Sequence, residues 1–132
     1  MKLWMMPEKK MSSKKFPKEG DIWIVKFDKL KEFSKPYRPC LVVSNDAQNE
    51  FDKNIVVVGL TTDEIEQVRT FEVFIKNTLE TGLDEPSKIC CNYLHTINKE
   101  LRLVDKQRLG VASPEIVEKV KKALEITLNL RK

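Results

Sequence analysis

Apolar residues along this chain fall in short runs of strand length rather than in long periodic stretches. In Asp21–Phe27 (DIWIVKF), Ile22 and Ile24 share one face of an extended segment while Trp23, Val25 and Phe27 share the other. That pattern predicts a strand covered on both sides. Pro39–Ser44 reads as a second strand, because proline is tolerated as the first residue of one. Asn45-Asp46 then offers a cap for a short helical turn over Ala47–Glu50. Ile55–Leu60 (IVVVGL) is the most apolar run and predicts the centre of the sheet, ending in Thr61-Thr62. Phe71–Ile75 and Lys88–Cys91 predict two more strands around a turn at Gly82, Pro86 and Ser87, and Tyr93–Ile97 a further short one. Spacing of this kind, with brief connections, points to a mainly β domain built as a small antiparallel barrel.

One helix is expected, at the C-terminal end. Ser113 suits an N-cap, Pro114 the first helical position, and Glu115 the positive end of the helix dipole. Ile116, Val117, Val120, Ala123, Leu124, Thr127 and Leu128 then recur at three- and four-residue spacing along one face.

Composition narrows the class without naming a chemistry. A chain of 132 residues, 41% apolar and 33% charged, fits one soluble domain with a single core. The formal charge of +4 resides in residues 1–19, which hold six lysines and two glutamates, so residues 20–132 are balanced. The reading is therefore a basic, disordered extension over 1–19 and one domain over 20–132. All four methionines lie at positions 1, 5, 6 and 11, and Met11 could itself serve as a start. No apolar run approaches the roughly 18–20 residues needed to cross a bilayer. The three cysteines, Cys40, Cys90 and Cys91, lack disulfide or metal-site spacing and read as buried reduced thiols. A cytoplasmic protein with no membrane association is expected.

The familiar catalytic sets are absent from the sequence. It has one histidine, no glycine-rich phosphate loop, no H-E-x-x-H and no G-x-S-x-G. No metal and no cofactor is expected. His95, inside an apolar run, is more often a structural hydrogen-bonding residue than a base. What remains are polar groups at strand ends: Arg38, Thr61, Thr62 and Asn92. Among these Arg38 has a specified direction, since Pro39 biases the residue before it toward extended geometry. Residue chemistry alone stops at a soluble β-barrel domain able to carry an anion site.

From Gly20 to Leu130 the chain resembles the MazF/PemK family of toxin endoribonucleases. The segments carrying the resemblance are GDIWIVKF, RPCLVVSNDAQN, VVVGLTT, FEVFI, GLDEPSKI, HTINK and PEIVEKVKKALEITLNL, in family order. The resemblance implies an SH3-like barrel with a C-terminal helix, paired as a homodimer. It implies metal-independent, sequence-specific cleavage of single-stranded RNA, leaving a 2′,3′-cyclic phosphate and a 5′-hydroxyl, and neutralisation by a cognate antitoxin protein. It maps catalysis onto Arg38 and Thr61. It maps substrate binding onto Glu32, Phe33, Lys35 and Tyr37 of the first loop and onto Thr62, Asn92 and His95.

The chain also departs from the family pattern. Many relatives carry glutamate where Phe33 stands and an acid where Asn92 stands, with arginine at the place of His95. The aromatic rings of Phe33 and Tyr37 suit stacking on unpaired bases. Two other uses of such a barrel stay open at this point: binding RNA or protein without cutting, and poisoning gyrase as the CcdB toxins do.

Overall fold

The computed structural model describes residues 16–27, 36–105 and 108–130. Among them, six strands form one antiparallel sheet: β1 (Asp21–Lys26), β2 (Tyr37–Val42), β3 (Asn54–Thr61), β4 (Glu72–Ile75), β5 (Ser87–Asn98) and β6 (Gly110–Val111). Their order across the sheet is β4-β5-β3-β2-β1-β6. Three helices accompany them: α1 (Asp46–Phe51), α2 (Lys99–Arg102) and α3 (Pro114–Thr127). The sheet curls into an open barrel with α3 against it, the mainly β architecture the sequence predicts.

Alternation along each strand divides the apolar residues between two cores. Ile22, Leu41, Val58, Leu60, Val73, Ile75 and Ile89 face α3 and pack with its buried Val120 and Ala123. Trp23, Val25, Cys40, Val42, Ile55, Val57 and Ile97 face the other way and close around Phe27 and Leu103. Both faces of β1 and β3 are therefore buried, which is why their sequences are apolar throughout. Ser113 caps α3 by accepting from Ile116 N, and Pro114 occupies its first turn. Leu128 does not join the buried face: it follows the helix as its C-cap and is exposed.

Strand β2 begins at Tyr37, two residues before the proline expected to open it. The reason is geometric. Ile24 pairs with Pro39, but the Ile24 carbonyl is turned away from β2 and accepts from Val104 N at 3.0 Å. Pro39 thus turns its missing N–H toward β3, ahead of the first β2–β3 pair, Cys40 with Gly59. The Leu60 carbonyl, which an N–H at that position would have met, accepts from Arg38 Nη2 at 2.9 Å instead.

Two predicted strands are one. β5 runs unbroken for 12 residues, yet Val58 pairs with Leu94 while the adjacent Gly59 pairs with Cys90. Cys91, Asn92 and Tyr93 are the surplus, a bulge that bends the strand and hides its continuity from a period-2 reading. The segments α2 and β6 were also not foreseen: four and two residues long, they are too short for a periodic signal.

The NDAQN segment folds as the six-residue helix α1, slightly longer than the turn expected. Asn45 caps it by accepting from Gln48 N at 2.9 Å, and Asp46 accepts from Glu19 N at 2.8 Å. Asn49 is fully buried and donates to Ser44 O at 2.8 Å, while Val56 N donates to Ser44 Oγ at 3.0 Å. These residues tie the β2–β3 connection to the sheet.

Candidate active site

The β2–β3 register carries Arg38 to a position opposite Thr61, two residues beyond the Cys40–Gly59 pair. On the other side of β3, Thr61 pairs with Lys88 of β5. Arg38, Thr61 and Lys88 therefore form one cross-strand row at an end of the sheet, on the face that carries Cys40 and Cys90. The Arg38 guanidinium donates through Nη2 to the Leu60 carbonyl at 2.9 Å, fixing its place over the end of β3.

A cleft of about 270 Å³ opens there, lined by Tyr37, Arg38, Pro39, Leu60, Thr61, Thr62, Asp63 and Ser87. The Thr61 hydroxyl oxygen accepts from Asp63 N at 3.1 Å. A hydroxyl that accepts through its oxygen keeps its proton to donate. Tyr37 is exposed at the rim.

Beneath the cleft lies a buried ion pair. Lys88, 4% exposed, meets the Glu72 carboxylate at 3.0 Å. Its ammonium also donates to Glu64 O at 3.0 Å and to Gln67 O at 2.8 Å. Burial alone would raise the Glu72 carboxyl, but hydrogen bonds from Arg69 N and Lys88, with the Lys88 charge, outweigh it and hold it below its ordinary value. The connection from Thr62 to Thr70 is thus pinned to the sheet by one cation.

The thiols near the row are inert. Burial pushes Cys40 up to about 12 despite the nearby Arg38 charge, Cys90 to about 11 and Cys91 to about 12. None forms a thiolate near neutrality, as expected for packing residues.

The structure gathers Tyr37, Arg38, Thr61 and Thr62 into the cleft. Asn92 is exposed in the β5 bulge, and His95 lies opposite Val57 with its ring 4.8 Å from that of Phe27. Four residues of β3 separate that pairing from Thr61, a distance of about 13 Å. Glu32, Phe33 and Lys35 lie outside the described residues. Sequence reasoning missed Asp63 and Ser87 in the cleft and the Lys88–Glu72 pair below it. A signal for the pair was present: Lys88 and Glu72 are opposite charges set in otherwise apolar strand segments.

Among the described residues no group of three His, Cys, Asp or Glu side chains is placed to hold a metal ion, and no helix is long and apolar enough to cross a membrane.

Residues 18–128 match the family described as PemK-like, MazF-like toxin of type II toxin-antitoxin system. No match is found among curated protein sequences. Among solved structures, one similar chain is an endoribonuclease in complex with its cognate antitoxin from a mycobacterial species. The two are 25% identical with a TM-score of 0.70, over 88% of this chain and 98% of that one. The Mycobacterium tuberculosis toxin MazF-mt6 shares the fold at 21% identity and a TM-score of 0.68, over 85% and 99% of the two chains. MazF from Deinococcus radiodurans does so at 17% identity and a TM-score of 0.69, over 86% and 97%.

Proposed function

The chain belongs to the PemK-like, MazF-like toxin family, and from that premise we propose that it is a sequence-specific, metal-independent endoribonuclease acting on single-stranded RNA. The observation that carries this reading is the row at the sheet end, where Arg38 and Thr61 share one cleft. A guanidinium offers donors and no acceptor site, so Arg38 cannot serve as a base. Its planar fork suits the scissile phosphate and the charge that develops on the phosphate oxygens as the bond order changes. The Thr61 proton supplies a second donor to the same oxygens or orients the attacking hydroxyl.

The nucleophile is the 2′-hydroxyl of the RNA itself. Its attack on the adjacent phosphorus expels the 5′-oxygen and leaves a 2′,3′-cyclic phosphate and a 5′-hydroxyl. Because nucleophile and phosphate belong to one molecule, orientation does much of the work, and the reaction proceeds without a metal ion. Tyr37 at the rim offers a ring on which an unpaired base can stack. The protein acts as a homodimer and is held inactive by a cognate antitoxin protein covering the cleft.

The test is incubation of purified protein with a long RNA in EDTA, followed by primer extension. Discrete fragments ending at one short sequence motif are expected. RNA that stays intact, or is degraded without sequence preference, overturns the proposal.

A further inference from the structure

The cleft holds a carboxylate to which no role has been given. Of the described residues lining it, Asp63 is the only acid. It is also the only side chain there with a carboxylate to take up a proton, since the others are a guanidinium, hydroxyls and apolar side chains. His95 is too far along β3 to serve in its place.

Asp63 is also held. Its backbone N–H donates to Thr61 Oγ1 at 3.1 Å, locking the turn out of β3. The next residue, Glu64, has a left-handed backbone with φ 51°, and its carbonyl accepts from the buried Lys88 ammonium at 3.0 Å. Lys88 secures a second point of the same loop at Gln67 O, and Glu72, which itself accepts from Arg69 N at 3.0 Å, balances the charge. One buried cation thus fixes the loop immediately after Asp63, and a buried lysine spent on backbone carbonyls is an expensive way to fasten a loop whose position does not matter.

We propose that Asp63 is the general base of the cleavage reaction and that Lys88 is the positioning residue that keeps its loop against the cleft. The inference rests on the endoribonuclease reading. As the 2′-oxygen bonds to phosphorus, its proton passes to the Asp63 carboxylate. The bond between phosphorus and the 5′-oxygen breaks, and that oxygen takes a proton from a solvent water. The hydroxide so formed then removes the proton from Asp63, restoring the carboxylate.

The test is a single-turnover rate on one RNA carrying the mapped cut site. Asp63→Asn keeps the size and the backbone N–H and removes only the base. Its rate should fall about 10²–10⁴-fold, the usual share of a positioned base. Affinity for an uncleavable 2′-deoxy analogue should be retained. Replacing the clamp as a pair, Lys88→Met with Glu72→Gln, leaves no buried charge unmatched. It should slow cleavage, and should slow it no further when Asp63→Asn is already present.

Asp63→Asn cutting at the wild-type rate overturns the base assignment and leaves the endoribonuclease reading standing. Losses that multiply in the combined variant overturn the positioning role. A wild-type protein that cuts no RNA overturns the endoribonuclease reading and this inference together.

Discussion

The two ends of β3 are both crowded with polar side chains, and they use them differently. At the Asn54 end, Asn45, Asp46, Ser44 and Asn49 bond to one another or to backbone. Lys99 donates to the carbonyls of Asn49 and Glu50 at 2.5 and 2.9 Å, closing the C-terminus of α1. At the Thr61 end, Arg38, Thr61, Thr62 and Asp63 line a cleft instead. The first end fastens a helix to the sheet, whereas the second presents donors and an acid to whatever enters. A motif such as NDAQN is therefore a marker of the family through its architecture, while the open cleft lies at the less conspicuous end.

Substitutions that separate the two ends sharpen the contrast. Next to Asp63→Asn, the largest effect on function is expected at Arg38. Arg38→Ala should fold normally by circular dichroism and lose about 10²–10³-fold in cleavage rate, the cost of one preorganised donor aimed at developing charge. Arg38→Lys should recover RNA binding in part and cleavage poorly, because an ammonium cannot reproduce the bidentate fork. A variant that binds and cuts as well as wild type would make Arg38 a structural rim residue.

Asn49→Ala should act in the opposite way. Buried groups at Ser44 lose their partner at about 1–3 kcal/mol each, so denaturant unfolding should show a loss of about 3 kcal/mol. The folded fraction should cut at the wild-type rate. A slowed reaction without destabilisation would erase the distinction between the ends.

Thr61→Val keeps the branched shape and removes the hydroxyl. Cleavage should slow about 10–100-fold, in line with one hydrogen bond to a charged group at about 1.5–3 kcal/mol. Unchanged kinetics would leave Thr61 as a strand-end turn residue.

The smallest effect concerns acid stability. The Glu72 carboxyl is held below its ordinary 4.5 in the folded chain. A depressed folded value means its contribution is present in full above that ordinary value and is lost as pH falls through the folded one. Urea midpoints for wild type and Glu72→Gln should therefore converge as pH drops below about 4.5. Midpoints that stay parallel down the acid range would show that the pair does not titrate with folding.

Much of this frame is legible in the amino-acid order, for stated reasons. β1 and β3 are visible because both their faces are buried, and α3 because Ser113-Pro114 announces it and its apolar face repeats. Arg38 can be picked out because Pro39 fixes the backbone beside it, and Thr61 because it ends the most apolar strand. The unity of β5 is hidden by the exposed bulge residues Asn92 and Tyr93, which read as a break. Neither the place of Asp63 in the cleft nor the grip of Lys88 on Glu64, 24 residues away, is written in local pattern. Both depend on strand register, which only the folded sheet supplies.

On the proposed mechanism, the Arg38–Thr61 end cuts RNA by turning the substrate's own 2′-hydroxyl on the adjacent phosphate. The most direct measurement is the chemistry of the fragment ends made in EDTA by wild-type protein. The expected products have 5′ ends that polynucleotide kinase labels without prior phosphatase treatment, and 3′ ends bearing a cyclic phosphate. Fragments with 5′-phosphates and free 3′-hydroxyls, or cutting that stops when EDTA is added, would contradict it.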